Sequence, residues 1–261
     1  MIKRPLFILR LATFFLLLGR GWQFVFYDTP FHRWLDSSSP TPWMIPAIGV
    51  FWLICATLAG VVKPGEKLLY GLLIISSLLL MAMTFALWQG SSYQFAQLIE
   101  QTAQWATPLL LIYALMSASM NHSGAGPSVE KLILVTTALV FTGHGLYASG
   151  IFPQPANFHY MVTSILGISG VSASWFLRVA GIMDFVVSAA IFIPRLRRVG
   201  LAYMAVWGLL TALARVIAYV ELTDLGATLF EWLPQVLFRL PHGLLPLVVL
   251  KKIFSEKKIM T

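Results

Sequence analysis

The sequence predicts an all-α, polytopic membrane protein in which eight transmembrane helices form two four-helix repeats. Of its 261 residues, 58% are hydrophobic and 11% are charged, a composition outside the range of soluble globular domains. Apolar stretches of membrane-spanning length recur along the chain, and short patterns of its first half recur in its second half. These three observations predict a protein embedded in a lipid bilayer.

Eight stretches are long and apolar enough to cross a bilayer, which takes about 20 helical residues. They lie at about 5–26, 44–62, 67–88, 102–119, 129–149, 173–193, 198–220 and 229–250. The segments between them carry turn residues, as in "KPGEK" and "FPQPAN". The first stretch resembles a secretory signal, but Arg10 and Arg20 interrupt it and no small-x-small cleavage site follows. We interpret it as a retained span.

The distribution of basic residues predicts the orientation. An even number of spans puts both termini on one side, and the predicted loops on that side carry nearly all of the basic charge outside the spans. On that side lie Lys3, Arg4, Lys63, Lys67, Lys131, Arg195, Arg197, Arg198, Lys251, Lys252, Lys257 and Lys258, and on the other side lies Arg33. Because basic loops stay in the cytoplasm, both termini are predicted to be cytoplasmic. We expect a multi-pass protein of a bacterial cytoplasmic (inner) membrane.

The two halves share short patterns. Gly19-Arg20-Gly21 aligns with Gly143-His144-Gly145 at an offset of 124, and Gly49 aligns with Gly181 at an offset of 132. A slowly growing offset is what short insertions in a second copy produce. We therefore predict a first repeat over residues 1–122 and a second over 123–261, inserted in the same direction. The alternative is an unrepeated eight-helix bundle.

Ionisable residues inside the predicted spans concentrate in the second half. Seven are candidate ligand-binding residues: Arg20, His144, Arg178, Asp184, Arg215, Arg239 and His242. An ionised group at the centre of a bilayer costs about 2.5–3.5 kcal/mol, so such groups normally face the bundle interior and meet a partner. Arginines outnumber the single aspartate, and this surplus predicts an anionic ligand in an outward-facing pocket.

The expected partners of these charges follow from helix geometry. Arg178 and Asp184 are six residues apart, which does not place them on one helix face. We therefore expect Asp184 to meet Arg215 or Arg239 on a neighbouring helix. In the structural alternative, Asp184 and its partner only fix helix orientation, and Arg178 reaches the headgroups.

Three prolines point to the pocket. Arg239 and His242 are three residues apart, and prolines at positions 234, 241 and 246 free backbone carbonyls around them. Irregular backbone within a membrane is tolerated where it lines protein or a water-filled cavity, so this segment is the predicted location.

Other functional classes find little support. The basic residues lie in short clusters between apolar runs, so the bilayer, and not nucleic acid, is the expected partner. Cys55 is the single cysteine, which excludes an intrachain disulfide and a thiolate metal cage. Haem held by His144 and His242 and metal held by His32 and His159 are disfavoured alternatives, because these histidines have no flanking motifs. No metal site is therefore predicted.

The second half resembles the DoxX-like superfamily of four-helix membrane proteins. The resemblance rests on Gly143-His144-Gly145, on Ala180-Gly181-Ile182-Met183-Asp184 and on the basic turn from Pro194 to Arg198. Asp184 stands where the family has glutamate, and the simple members have four spans. The resemblance implies a subunit of a membrane oxidoreductase that passes electrons to quinone, with a quinone or small-anion site around His144 and Asp184.

The functional prediction is a membrane protein that binds an anionic or quinone-like ligand, with partner subunits in a membrane complex. A carrier for a small anion or a lipid headgroup is one alternative, and a structural subunit whose charges only orient helices is another. The residues do not decide between an enzyme and a non-enzyme.

Overall fold

The computed structural model describes residues 3–27, 43–86, 88, 94–121 and 127–259. Throughout these residues the secondary structure is helical, without strands. The α-helices are α1 (Lys3–Phe26), α2 (Met44–Val61), α3 (Lys67–Ala86), α4 (Phe95–Glu100), α5 (Thr102–Asn121), α6 (Pro127–Ala148), α7 (Ala156–Leu166), α8 (Gly170–Ala190), α9 (Arg197–Tyr219), α10 (Leu225–Leu237) and α11 (Pro241–Ile259). A short 3₁₀ turn, Leu222–Asp224, precedes α10. The predicted all-α class is confirmed.

Six of the described helices are long and apolar enough to cross a membrane. They are α1 from Pro5 onward, α2, α3, α6, α8 and α9. A seventh span results if residues Leu222–Leu237 and Pro241–Phe254, which are bent by 47°, are counted as one. The membrane character of the chain is thereby supported, whereas the eighth span, expected at about 102–119, stays a prediction. The side of the termini also stays a prediction.

The last expected span is not a straight helix. The stretch predicted at about 229–250 divides into α10 and α11, which meet at the 47° bend. Pro241 begins α11, because its ring leaves no N–H for a preceding helical carbonyl and disfavours helical backbone in the residue before it. The irregular backbone expected from the prolines of this segment is thus present at Pro241.

Two short helices lie between longer ones where the sequence predicts loops. One is α4, and the other is α7, whose 11 residues extend only about 16 Å, too short to cross a bilayer. α7 ends at Gly167, which has a positive φ of 69°, a backbone conformation that glycine adopts at little cost. Phe158 and His159, which follow the predicted turn "FPQPAN", lie within this helix.

Four of the close helix contacts at glycines bear on the predicted repeats, and two of these four lie within a repeat. A Cβ atom on Gly21 would lie 2.8 Å from the carbonyl oxygen of Gly49, where α1 crosses α2. A Cβ atom on Gly145 would lie 2.9 Å from the carbonyl oxygen of Gly181, where α6 crosses α8. Because these distances are too short for any side chain, glycine allows both helix pairs to approach closely.

The other two contacts join elements of different halves. A Cβ atom on Gly19 of α1 would lie 2.7 Å from the carbonyl oxygen of Pro234 in α10. A Cβ atom on Gly143 of α6 would lie 2.7 Å from the carbonyl oxygen of Ala96 in α4. The first long helix of each half therefore packs against a short helix contributed by the other half.

The hydrophobic core has two parts. The larger cluster contains residues from both halves, with Trp52 and Phe238 among its largest buried side chains. The smaller cluster lies where α6, α7 and α8 meet and includes Phe158, Val162 and Leu177. These three residues also line the cavity described next, so the smaller cluster forms part of the wall of the candidate site.

Candidate functional site

A cavity of about 270 Å³ lies between α6, α7, α8 and α9. Its volume is close to the lower end of the range for small-molecule pockets, about 300–1,000 Å³. Apolar side chains form most of its wall, and the exceptions include His144, Asp184, Thr211 and Arg215. An apolar hollow with a few polar groups is the usual form of a site for a small organic ligand.

His144 and Asp184 form the central polar pair of the cavity. His144 Nδ1 lies 3.5 Å from Asp184 Oδ2, and the imidazole ring stacks on Phe158 with a centroid distance of 4.9 Å. The pair exists because the glycine crossing of Gly145 and Gly181 brings α6 and α8 together one residue from His144 and three residues from Asp184. The partner of Asp184 among the described residues is thus a histidine, and the expected pairing with Arg215 or Arg239 is wrong.

The carboxylate oxygens of Asp184 lack hydrogen-bond donors among the described residues. Its side chain is 1% exposed, and neither carboxylate oxygen accepts a hydrogen bond from the described residues. A buried carboxylate in this condition costs free energy until a donor or a proton reaches it. Asp184 can therefore accept a hydrogen bond from a water molecule or carry a proton.

Arg215 brings a positive charge to the same cavity. It lies on α9, is 6% exposed, and its Nε has no hydrogen-bond partner among the described residues. Glu100 of α4 interacts electrostatically with Arg215, His144 and Arg239. Glu100 lies between two predicted spans, on a short helix that the sequence did not predict. Arg215 is thus the arginine that offers a donor to a ligand in the cavity.

A second, smaller hollow adjoins the cavity and reaches His242. It has a volume of about 10 Å³ and shares His144, Asp184, Trp207 and Thr211 with the cavity. Within the described residues, His242 Nε2 and Trp207 Nε1 have no hydrogen-bond partner. Such a volume suits about one water molecule, and the unsatisfied polar atoms around it suit a water that bridges Asp184 and His242.

Three of the seven predicted site residues lie elsewhere. Arg20 donates hydrogen bonds to Gln104 Oε1 at 3.0 Å and Gln23 Oε1 at 2.8 Å, and its guanidinium lies 3.8 Å from the ring centre of Phe238. Arg239 binds the backbone and side-chain oxygens of Gln235 and lies 4.3 Å from the same ring. Neither arginine lines the cavity. Arg20 thus connects α1 to Phe238 at the end of α10, whereas the contacts of Arg239 lie within the bend region itself.

Arg178 also lies outside the cavity. Its side chain is exposed and its guanidinium lies 5.1 Å from the ring centre of Trp175 on the same helix. This arrangement matches the structural alternative, in which Arg178 reaches toward the membrane surface. The structure thus brings together His144, Asp184 and Arg215, places His242 beside them, and leaves Arg20, Arg178 and Arg239 apart.

The cavity does not lie at the three prolines, where the sequence analysis expected it. The short helix α7, which the sequence analysis did not predict, forms part of its wall. The cavity lies between α6 and α9, and not at the α10–α11 bend. α7 contributes Phe158, Met161, Val162, Ile165 and Leu166 to its wall. Their spacing of i, i+3, i+4, i+7 and i+8 is typical of the apolar face of a helix. This signal was present in the sequence, within a segment too short to be a span.

The geometry of the described residues fits neither a metal site nor a haem site. They contain no group of three or more His, Cys, Asp or Glu side chains placed to hold a metal ion. His159 is hydrogen-bonded to Gln154 Oε1 at 2.8 Å, and His32 lies outside the described residues. The hollow between His144 and His242 is about 10 Å³, far too small for a porphyrin. These histidines do not fit a haem.

Comparison with family models, with curated proteins and with solved structures finds no match for this chain. The resemblance to the DoxX-like superfamily therefore stays a prediction, and the site is interpreted from its own geometry.

Proposed function

We propose that this chain is a membrane protein that binds a quinone-like ligand in the cavity between α6 and α9. The observation that carries this proposal is the convergence of three polar side chains, His144, Asp184 and Arg215, on an otherwise apolar cavity. A quinone ring has apolar faces and carbonyl oxygens at its edge. An apolar wall with a hydrogen-bond donor from Arg215 matches that chemistry. Contact with an apolar wall would not stabilise a small hydrated anion.

The polar groups have distinct roles in the proposal. Arg215 donates a hydrogen bond to a carbonyl oxygen and supplies the positive charge that a reduced, anionic form requires. Asp184 holds the imidazole of His144 through Nδ1, which leaves Nε2 as the nitrogen for a ligand. Reduction of a quinone consumes protons as well as electrons, and the His144–Asp184 pair is the proton donor. Partner subunits of a membrane oxidoreductase supply the electrons.

We further propose that the chain consists of two four-helix repeats with cytoplasmic termini. The matching glycine crossings, Gly21 on Gly49 and Gly145 on Gly181, support the duplication. The reciprocal packing of α10 on Gly19 and of α4 on Gly143 supports it as well. Arg20 then occupies in the first repeat the position of His144 in the second, and its own contacts take the place of a ligand. With the positive-inside orientation, the cavity lies in the outer half of the bilayer.

The alternative functions have weaker support. A carrier for a small anion or a lipid headgroup needs a cationic pocket, and Arg215 is the one arginine among the cavity-lining residues. A purely structural role suits Arg20 and Arg239, whose contacts are internal. It does not suit Asp184, Arg215 and His242, each of which keeps an unsatisfied buried polar atom within the described structure.

The test is quinone binding by the purified protein in lipid nanodiscs. We expect decylubiquinone, a benzoquinone with a decyl chain, to bind the unaltered protein. Arg215→Gln is expected to weaken binding about 10- to 100-fold, the effect of losing a hydrogen bond to a charged group. Asp184→Asn is expected to weaken binding as well, because the imidazole of His144 loses its charged partner. Arg178→Gln is the matched control, since it removes an exposed arginine from the same half. Absent binding, or equal losses in Arg178→Gln and Arg215→Gln, would contradict the proposal.

A further inference from the structure

Part of the cavity wall is exposed at the surface formed by the described residues. Four apolar residues that line it are also exposed at the protein surface: Ile165 is 38%, Leu166 is 49%, Leu210 is 51% and Ile217 is 54% exposed. The first two lie at the end of α7 and the other two lie on α9, one of the helices suited to crossing the membrane. Exposed apolar surface on such a helix faces hydrocarbon. The mouth of the cavity, between α7 and α9, therefore faces lipid.

The opposite end of the cavity is polar and closed. Asp184 is 1% and Arg215 is 6% exposed, so the charged groups lie away from the mouth. A molecule that fills the cavity from this mouth meets apolar side chains first and the polar groups last. This order matches an amphiphile that points its polar head inward and leaves its apolar part at the mouth.

The first turns of α7 form a closed part of the cavity wall. Phe158 and Val162 are 5% and 7% exposed, and both line the cavity. Tyr160 of α7 stacks on Tyr219 of α9 at 4.5 Å, and Tyr219 stacks on Trp232 of α10 at 3.7 Å. These ring contacts link the start of α7 to α9 and, through Tyr219, to α10. Access past the start of α7 would require breaking this aromatic stack, to which Ile165 and Ile217 do not belong.

We infer that the ligand is a lipid-dissolved amphiphile that enters sideways from the bilayer between α7 and α9. Its polar ring lies at His144, Asp184 and Arg215, and its single apolar tail remains in the mouth beside Leu210 and Ile217. The inference rests on the proposed quinone site and adds the tail and the route. It distinguishes the ligand from a water-soluble quinone, which would reach the site from the aqueous phase.

Tryptophan substitutions at the mouth test the route. Leu210→Trp and Ile217→Trp place an indole where the tail passes. Leu213→Trp is the matched control, because Leu213 lies between them on α9, is 45% exposed and does not line the cavity. The probes are decylubiquinone and the same ring without its chain, both titrated into protein in nanodiscs. Size-exclusion chromatography and thermal unfolding of each variant, compared with Leu213→Trp, report whether the fold is intact.

The expected result is a selective loss. Each mouth variant weakens binding of the tailed probe by about tenfold, within the range that overpacking produces, and affects the tail-less ring less. Leu213→Trp leaves binding of both probes unchanged. If the tailed probe binds all three variants as it binds the unaltered protein, the lateral route is wrong while the quinone site stands. If neither probe binds the unaltered protein, the proposed function and the inference are both wrong.

A second measurement uses the unaltered protein and therefore does not depend on whether any variant folds. A decylubiquinone analogue with a photoreactive diazirine at the end of its tail is bound to the unaltered protein, irradiated, and mapped by peptide mass spectrometry. Labels at Ile165, Leu166, Leu210 or Ile217, competed away by decylubiquinone, support the lateral mouth. Competed labels confined to the segment before α7, around residues 149–155, would overturn it.

Discussion

His144 Nδ1 and Asp184 Oδ2 face each other across 3.5 Å at a crossing of two helices that is set by glycine. Gly145 lies next to His144 in sequence, and Gly181 lies one helical turn before Asp184. The residues that set the interhelical distance are therefore adjacent to the residues that form the polar pair. Packing and chemistry at this site depend on the same few atoms, which makes several substitutions informative.

Gly145→Ala should disturb the site through packing alone. Its new Cβ would lie 2.9 Å from the carbonyl oxygen of Gly181, so α6 and α8 must separate, at a cost of about 1–3 kcal/mol. We expect a lower melting temperature together with weaker quinone binding. Gly71→Ala is the control, since a Cβ there meets no atom within 4 Å and alanine favours the helix. Equal effects of the two substitutions on melting temperature would show that the crossing is not tightly packed.

Replacing both members of the polar pair should separate stability from binding. His144→Leu combined with Asp184→Leu removes the buried pair together, a change that is often neutral or stabilising in other proteins. Asp184→Leu alone leaves the histidine without its counter-ion and should destabilise more than the double variant. We expect the double variant to remain monodisperse in detergent and to bind no quinone. Quinone binding retained by the double variant would remove the pair from the site.

Arg20→Leu should lower stability and leave ligand affinity unchanged. The substitution deprives Gln23 and Gln104 of their buried hydrogen-bond donor, and each unsatisfied group costs about 1–3 kcal/mol. Thermal unfolding should show the loss, while quinone titration should not. Arg178→Leu, at an exposed position, should change neither. A selective loss of quinone affinity in Arg20→Leu would place Arg20 in the ligand site after all.

A water molecule should bridge Asp184 and His242. The hollow beside the cavity has room for about one water, and polar atoms of both residues lack partners among the described residues. An experimental structure at a resolution that reveals ordered water should show density there, within hydrogen-bond distance of His242 Nε2 and of Asp184. Well-ordered side chains without such density would contradict this expectation.

Hydropathy predicted the fold class and most of the long helices, because a span needs only length and apolar composition. It missed α7, since 11 residues are too few to be recognised as a span, although their apolar spacing is helical. It gave 229–250 as one span, and the prolines within that span, not its hydropathy, indicated the irregular backbone that the structure has at Pro241.

The candidate site was predictable only in part, for a geometric reason. Sequence spacing excluded a contact between Arg178 and Asp184 on one helix, and the structure agrees. Spacing along one helix says nothing about which residue of a neighbouring helix lies opposite, so the arginines were expected to meet Asp184. The glycines near His144 and Asp184 held the missing information. Where two helices cross at a glycine on each helix, the residues next to those glycines lie close together.

The exchange of short helices between the halves has a consequence for biosynthesis. α1 is synthesised before α10, yet α10, which begins at Leu225, covers Gly19. α1 must therefore remain in the bilayer, with its glycine face against lipid or an insertion factor, until α10 has left the ribosome. The final packing of α1 thus follows the insertion of the helices between the two, and a truncation that removes α10 acts on α1 as well.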